Sequence, residues 1–313
     1  MIERSLLLIV AVLATACGSG SKPLASAPSS GPDRTTVPLF VETNRPVVEV
    51  TFLKEDGSTR KARFVVDSGG GGFLIVGPLA RELGLELGET MSEGNTVFAH
   101  VKSKVAASIG SVALALQPDR VLVLPKAENM LPPASHVRAE GLLPGHVLAR
   151  YHVVLDYPKG TFTIAKPGAL VSAGPSLPMP VAERSGFPRT EIEVDGKTYG
   201  FLLDTGASFT MVSQALLESW GAVHPEWERH PGAYGAAATL GGQTNETMIV
   251  PEVSWAGRRL AGVGVTSQDT GTFEEMISSS MTAPVVGSLA GNVLKRFRVD
   301  LDYPNQKLYL TGP

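Results

Sequence analysis

Two short segments hold the residues whose types and spacing could do chemistry. Asp67-Ser68-Gly69 follows Phe64-Val65-Val66, and Asp204-Thr205-Gly206 follows Phe201-Leu202-Leu203, 137 residues further on. An apolar run ending in Asp, a hydroxyl residue and Gly reads as a strand that turns sharply and presents a carboxylate at its end. The hydroxyl can bond nearby backbone, and Gly lets another chain segment come close. Composition alone would supply such a triplet on the order of 0.2 times in a chain like this, so two in matching contexts are no coincidence. Two carboxyls brought together cannot both ionise; they share one proton. The ionised member can activate a water while the protonated member polarises a carbonyl, so amide hydrolysis by this route needs no metal, no cofactor and no covalent intermediate.

The elements that must position these carboxyls are also written twice. Pro78 to Gly84 reads as a short helix with Pro at its start and Gly at its stop. Its counterpart is Ser213 to Trp220, with Ser213 as N-cap and Gly221 as stop. Later, Gly141-Leu142-Leu143-Pro144-Gly145 matches Gly287-Ser288-Leu289-Ala290-Gly291, and VVLDYPKGTFTI matches VDLDYPNQKLYL. The stretches 101–124 and 248–266, rich in Val and Ala with turn residues between, predict strands and hairpins. The Pro/Gly/Ser-rich segment 166–180 falls between the copies. The expected architecture is mainly β: two similar lobes, 37–168 and 181–313, joined by a linker at 169–180, with a cleft between them and a few short helices.

The chain has 313 residues, Lys+Arg 27 against Asp+Glu 30, and a net charge of −3. That balance gives no basic surface to hold a phosphate backbone, so nucleic acid is not an expected partner. Residues 1–16 have the shape of an export signal: Arg4, an apolar core from Leu6 to Leu13, then Ala14-Thr15-Ala16. The apolar core is too short to span a bilayer, so the mature protein is expected to have no transmembrane helix. Cys17, the chain's single cysteine, resembles the acylated cysteine of the bacterial lipoprotein lipobox, with Ala14 where that motif usually has Leu. The other reading is an ordinary signal cleaved near Ala16 or Cys17. With acylation, 17–36 becomes a flexible tether and the protein an exported, lipid-anchored one of the bacterial cell envelope, expected on the periplasmic face of the outer membrane. One thiol also means no internal disulfide.

The pair of motifs FVVDSG and FLLDTGAS, with GLLPG and GSLAG behind them, resembles the aspartic proteases, more closely the bacterial tandem retropepsin-like proteins than the longer pepsin-like enzymes. The resemblance implies that Asp67 and Asp204 are catalytic. Ser68, Gly69, Thr205, Gly206 and Ser208 would then support the active-site loops, a single two-lobed chain would act as a monomer, and the substrate would be a peptide or protein. It also implies flaps closing over substrate, with Gly241-Gly242 as a hairpin tip, Tyr234 beside it, and Phe98 as the bulky candidate in the first copy; core packing is the other reading of both aromatics. Gly69 to Gly72 departs from the family pattern and predicts a loose loop. That loop points to a rival, a peptide-binding lipoprotein that kept the cleft and lost rate; a purely structural envelope protein is a second rival.

Several features carry less. His224 and His230 lack metal-ligand spacing, and Ser208 has no nucleophile elbow around it. Asn245 begins a sequon that an exported bacterial chain would not use. Asp156 and Asp302 of the two LDYP segments read as turn caps, and the glycine run lacks the Lys of a phosphate loop.

Overall fold

In the strand Thr59–Asp67, side chains alternate between solvent and core as far as Phe64, and then Val65, Val66 and Asp67 are all buried. A strand covered on both faces reads as an unbroken apolar run, so the sequence itself marks where this strand dives beneath its neighbours. The same happens in Lys197–Leu203, which ends on the buried Phe201, Leu202 and Leu203. The computed structural model describes residues 32–93, 96–132, 135–234 and 244–312.

In the first lobe, Gly141–Pro144 lies parallel to Thr59–Asp67 with Gly141 opposite Phe64 and Pro144 opposite Asp67, and antiparallel to Phe73–Val76 on its other side. In the second lobe, Gly287–Leu289 lies parallel to Lys197–Leu203 with Gly287 opposite Phe201, and antiparallel to Thr210–Ser213. The repeat is thus structural as well as textual, and the first glycine of each tail motif has a packing reason. A Cβ on Gly141 would run into the Phe64 ring, and one on Gly287 would come within 2.7 Å of Phe201 Cε1. Phe64 also stacks on Phe73 at 5.2 Å between centroids; burying each such ring stabilises the lobe by about 1.5–3 kcal/mol.

These strands belong to a ten-stranded sheet in the first lobe and a seven-stranded sheet in the second. The latter closes on itself where Arg189–Val194 pairs with Thr244–Trp255. A third, six-stranded sheet joins the lobes, because His152–Asp156 of the first copy pairs antiparallel with Arg298–Asp302 of the second. At its centre His152 Nε2 lies 2.6 Å from Asp300 Oδ1, and Ser172 Oγ donates to Asp300 Oδ2 at 2.7 Å, which pins the connecting segment to the shared sheet. The fold class is as expected: mainly β, two lobes, few short helices.

Three expectations need correction. The tether does not reach residue 36: Arg34–Pro38 is already a strand, paired with Thr161–Ala165. Within the expected linker, Leu177–Pro178 pairs with Lys307–Thr311. The second helix runs Gln214–Val223, through Gly221 instead of stopping there. A Cβ on that glycine would meet the Arg229 guanidinium, the far end of a flexible side chain. Phe98 sits inside the strand Thr96–Val101 with 2% exposure, part of the first lobe's core and not a flap tip. By contrast, the first helix, Gly77–Glu82, starts with Pro and is followed by Gly84 at φ 67°, as read from sequence.

Candidate active site

Asp67 and Asp204 end their strands side by side at the lobe junction, their carboxyls close enough to share a hydrogen bond. What brings them together is a crossed pair of hydroxyls. Ser68 Oγ donates to Leu203 O at 2.6 Å and accepts from Thr205 N at 2.9 Å. Thr205 Oγ1 donates to Val66 O at 2.7 Å and accepts from Ser68 N at 3.0 Å. Each lobe's hydroxyl therefore satisfies two backbone groups of the other lobe at a point fully closed to water, where an unmade hydrogen bond is costly.

The glycines allow the approach. A Cβ on Gly69 would lie 2.9 Å from Asp204 Cγ, and one on Gly206 would run into the Asp67 carboxyl. The run from Gly69 to Gly72 is not loose. Gly70, Gly71 and Gly72 are buried, Gly70 N donates to Asp67 O at 3.1 Å, and Gly145 N donates to Gly70 O at 3.2 Å. Space is short at Gly70, where a Cβ would lie 2.6 Å from Leu142 Cδ2 and 3.0 Å from Asp67 Cγ. The tail glycines brace the loops from behind in both lobes, Gly145 against Gly70 and Gly291 N donating to Ala207 O at 3.0 Å.

Ser208 supports its loop through its carbonyl, which accepts from Asn44 Nδ2 and from Asn292 N; its buried hydroxyl has no hydrogen-bond partner among the described residues. Tyr234 ends the strand Arg229–Tyr234 and pairs with Thr244 of the next strand. Gly241, Gly242 and Cys17 lie outside the described residues. Asp156 and Asp302 do cap turns, accepting from Lys159 N at 3.2 Å and Asn305 N at 3.3 Å.

Burial, then the neighbouring Asp204 charge, hold Asp67 well above the usual carboxylate range. Burial also raises Asp204, against which the amides of Ala207 and Gly206 pull it down. The pair is thus arranged to hold one proton well above the pH at which an isolated aspartate would lose it.

Sequence reasoning missed three neighbours of the pair. Tyr157 and Tyr303, the tyrosines of the two LDYP segments, are buried and pushed up in pKa by burial and by the charge of Asp204 and Asp67 respectively, so each lies under the opposite lobe's carboxyl. Their place in both copies was the available signal. Arg45, 1% exposed, donates from Nε to Gly206 O at 2.7 Å; a single arginine before a strand carries no signal of that kind. One further asymmetry was unreadable. Asn292 braces the second lobe by bonding Thr210 and Gly264 O. Its counterpart His146 has no partner for either ring nitrogen among the described residues and is driven down to about 3 by burial, with Arg120 and Arg150 adding to the effect.

The two-lobed, mainly β fold is pepsin-like. The fold is similar to that of the aspartic proteinase from Irpex lacteus, with a TM-score of 0.51 at 11% identity over 89% of this chain and 97% of that chain. Residues 190–281, within the second lobe, match the Aspartyl protease family. Comparison with curated proteins finds no match.

Proposed function

We propose that this protein is an aspartic endopeptidase in which a single chain supplies both carboxyls, and that it hydrolyses peptide bonds with a water activated between Asp67 and Asp204. The observation that carries this reading is the reciprocal grip of Ser68 and Thr205, which fixes two buried carboxyls within hydrogen-bond reach. Such a pair supplies a base and an acid at once. The packed, hydrogen-bonded glycine loop in the first lobe supports the catalytic reading over that of a non-catalytic binding protein. The lipobox-like start and the small-residue stretch after Cys17 support an anchored protein of the cell envelope that meets exported peptides or proteins.

The test is the mature chain incubated with a mixed peptide library, with and without a statine-type inhibitor. Cleavage blocked by the inhibitor is expected. Asp67→Asn and Asp204→Asn should each abolish it, and the double variant should be scarcely worse than either, because groups acting as one unit are grossly non-additive. Substantial cleavage by a folded, monomeric Asp67→Asn chain would overturn the reading.

A further inference from the structure

The two carboxyls stand in unlike surroundings, and the difference can be traced to one peptide bond. Asp204 Oδ1 accepts two amides, Gly206 N at 2.9 Å and Ala207 N at 3.1 Å. Asp67 Oδ1 accepts one, Gly69 N at 3.0 Å, and the next amide, Gly70 N, turns to the Asp67 backbone carbonyl instead. The peptide that gives Asp204 its second donor is the Gly206–Ala207 unit, whose carbonyl accepts the Arg45 Nε proton at 2.7 Å. A guanidinium pulling on a carbonyl makes the N–H of the same peptide a stronger donor. The chain of bonds runs from a permanent cation through one amide to one carboxylate.

Among the described residues the first lobe has no such chain. Val48 is opposite Phe64 and Thr190 is opposite Phe201, so the residue three places before Thr190, Phe187, occupies the place of Arg45 in the other copy. Phe187 is 1% exposed and packs toward Gly145 behind the Asp67 loop. Where one lobe's loop is approached by a charge, the other is approached by a phenyl ring. Arg45 is held in place by a two-residue turn, Thr43 at φ 49° and Asn44 at φ 66°, from which Asn44 bonds Ser208 O at 3.0 Å. A β-branched residue at positive φ is strained and persists only where its surroundings fix it.

We propose that Arg45 acts through the Gly206–Ala207 peptide as a positioning residue that makes Asp204 the ionised carboxylate of the pair and leaves the shared proton on Asp67. The charged and titratable groups facing the pair are Arg45, Tyr157 and Tyr303. The tyrosines, one near each carboxyl, do not break the symmetry; the charge of Arg45 bears on both carboxyls, and its hydrogen bond through the Gly206–Ala207 peptide bears on Asp204 alone. Within the proposed hydrolysis, on which this deepening rests, Asp204 then takes a proton from water as its oxygen bonds the carbonyl carbon. Asp67 gives its proton to the carbonyl oxygen, forming a gem-diol. In the return step Asp204 protonates the leaving amine and Asp67 takes back the diol proton, so the C–N bond breaks with the pair restored.

The order of ionisation can be read without cleavage. Full-length protein carrying 13Cγ-aspartate is titrated by NMR as Asp67→Asn and as Asp204→Asn, each alone and combined with Arg45→Gln. The remaining Asp204 is expected to titrate at lower pH than the remaining Asp67, by at least about one unit, a tenfold difference in proton affinity. Arg45→Gln should raise the Asp204 midpoint more than that of Asp67. Equal or reversed midpoints overturn the assignment, and an equal rise at both sites overturns the route through the peptide. If thermal melting shows that Arg45→Gln does not fold, Arg45→Lys keeps the charge without the planar Nε–H and should still raise the Asp204 midpoint alone; no change in it refutes the route. Loss of peptidase activity with this order intact would count against the proposed function and not against this inference.

Discussion

Thr205→Val deletes one hydroxyl from the crossed junction while keeping nearly the same volume, and it isolates what that junction contributes. The change leaves Ser68 N without its acceptor and Val66 O without its donor, at a residue with 0% exposure. An orphaned buried N–H costs about 1–3 kcal/mol, and the lost bond to the carbonyl about 0.5–1.5 kcal/mol more. The expected loss is therefore about 3 kcal/mol. In a chain of this size each kcal/mol lowers Tm by about 2–4 °C, so a drop of about 6–12 °C should appear when melting is followed by circular dichroism. Thr205→Ser, which keeps the oxygen, should stay close to the parent. Ser68→Ala should cost a similar amount, and the double variant less than the sum, because both hydroxyls hold the same two loops. Cleavage should fall more steeply than stability, since loops free to shift by about 1 Å lose catalytic geometry. A Thr205→Val protein melting within about 2 °C of the parent would refute the argument that the grip holds the lobes together.

Both carboxyls are raised by burial, so their contribution to folding is fully present below the usual aspartate pKa of about 3.9 and declines as pH rises through their folded values. Asp67→Asn should accordingly be more stable than the parent at pH 7, with the advantage gone near about pH 3; chemical denaturation at the two pH values checks the sign. Peptide cleavage should follow a bell-shaped pH profile, its acid limb marking protonation of the base and its alkaline limb loss of the shared proton, and a rate rising steadily through alkaline pH would point to another catalyst. Cys17→Ser should move the protein out of the detergent-extracted membrane fraction, because two acyl chains give stable anchoring and the unmodified terminus does not; unchanged fractionation would remove the anchor.

What the sequence determined by itself is what repeats locally. The two Asp-containing strand ends, the two tail motifs and the Pro and Ser helix starts each depend on a few adjacent residues whose preferences are intrinsic, and a second copy confirms each one. The positions of Asp156 and Asp302 as turn caps belong to the same kind. Tertiary structure alone decided the rest, because it depends on residues far apart in the chain. Gly69 to Gly72 read as loose from composition, yet the facing carboxyls and Leu142 crowd any side chain at Gly69 and Gly70. Phe98 could be placed in core or flap only once its strand was packed. The shared six-stranded sheet arises from pairing between the two tails, with Val154 set against Asp300, 146 residues away. Above all, the repeat predicts two equivalent carboxyls, and their inequivalence comes from Arg45 reaching 161 positions along the chain to Gly206 O, a contact that no local preference encodes.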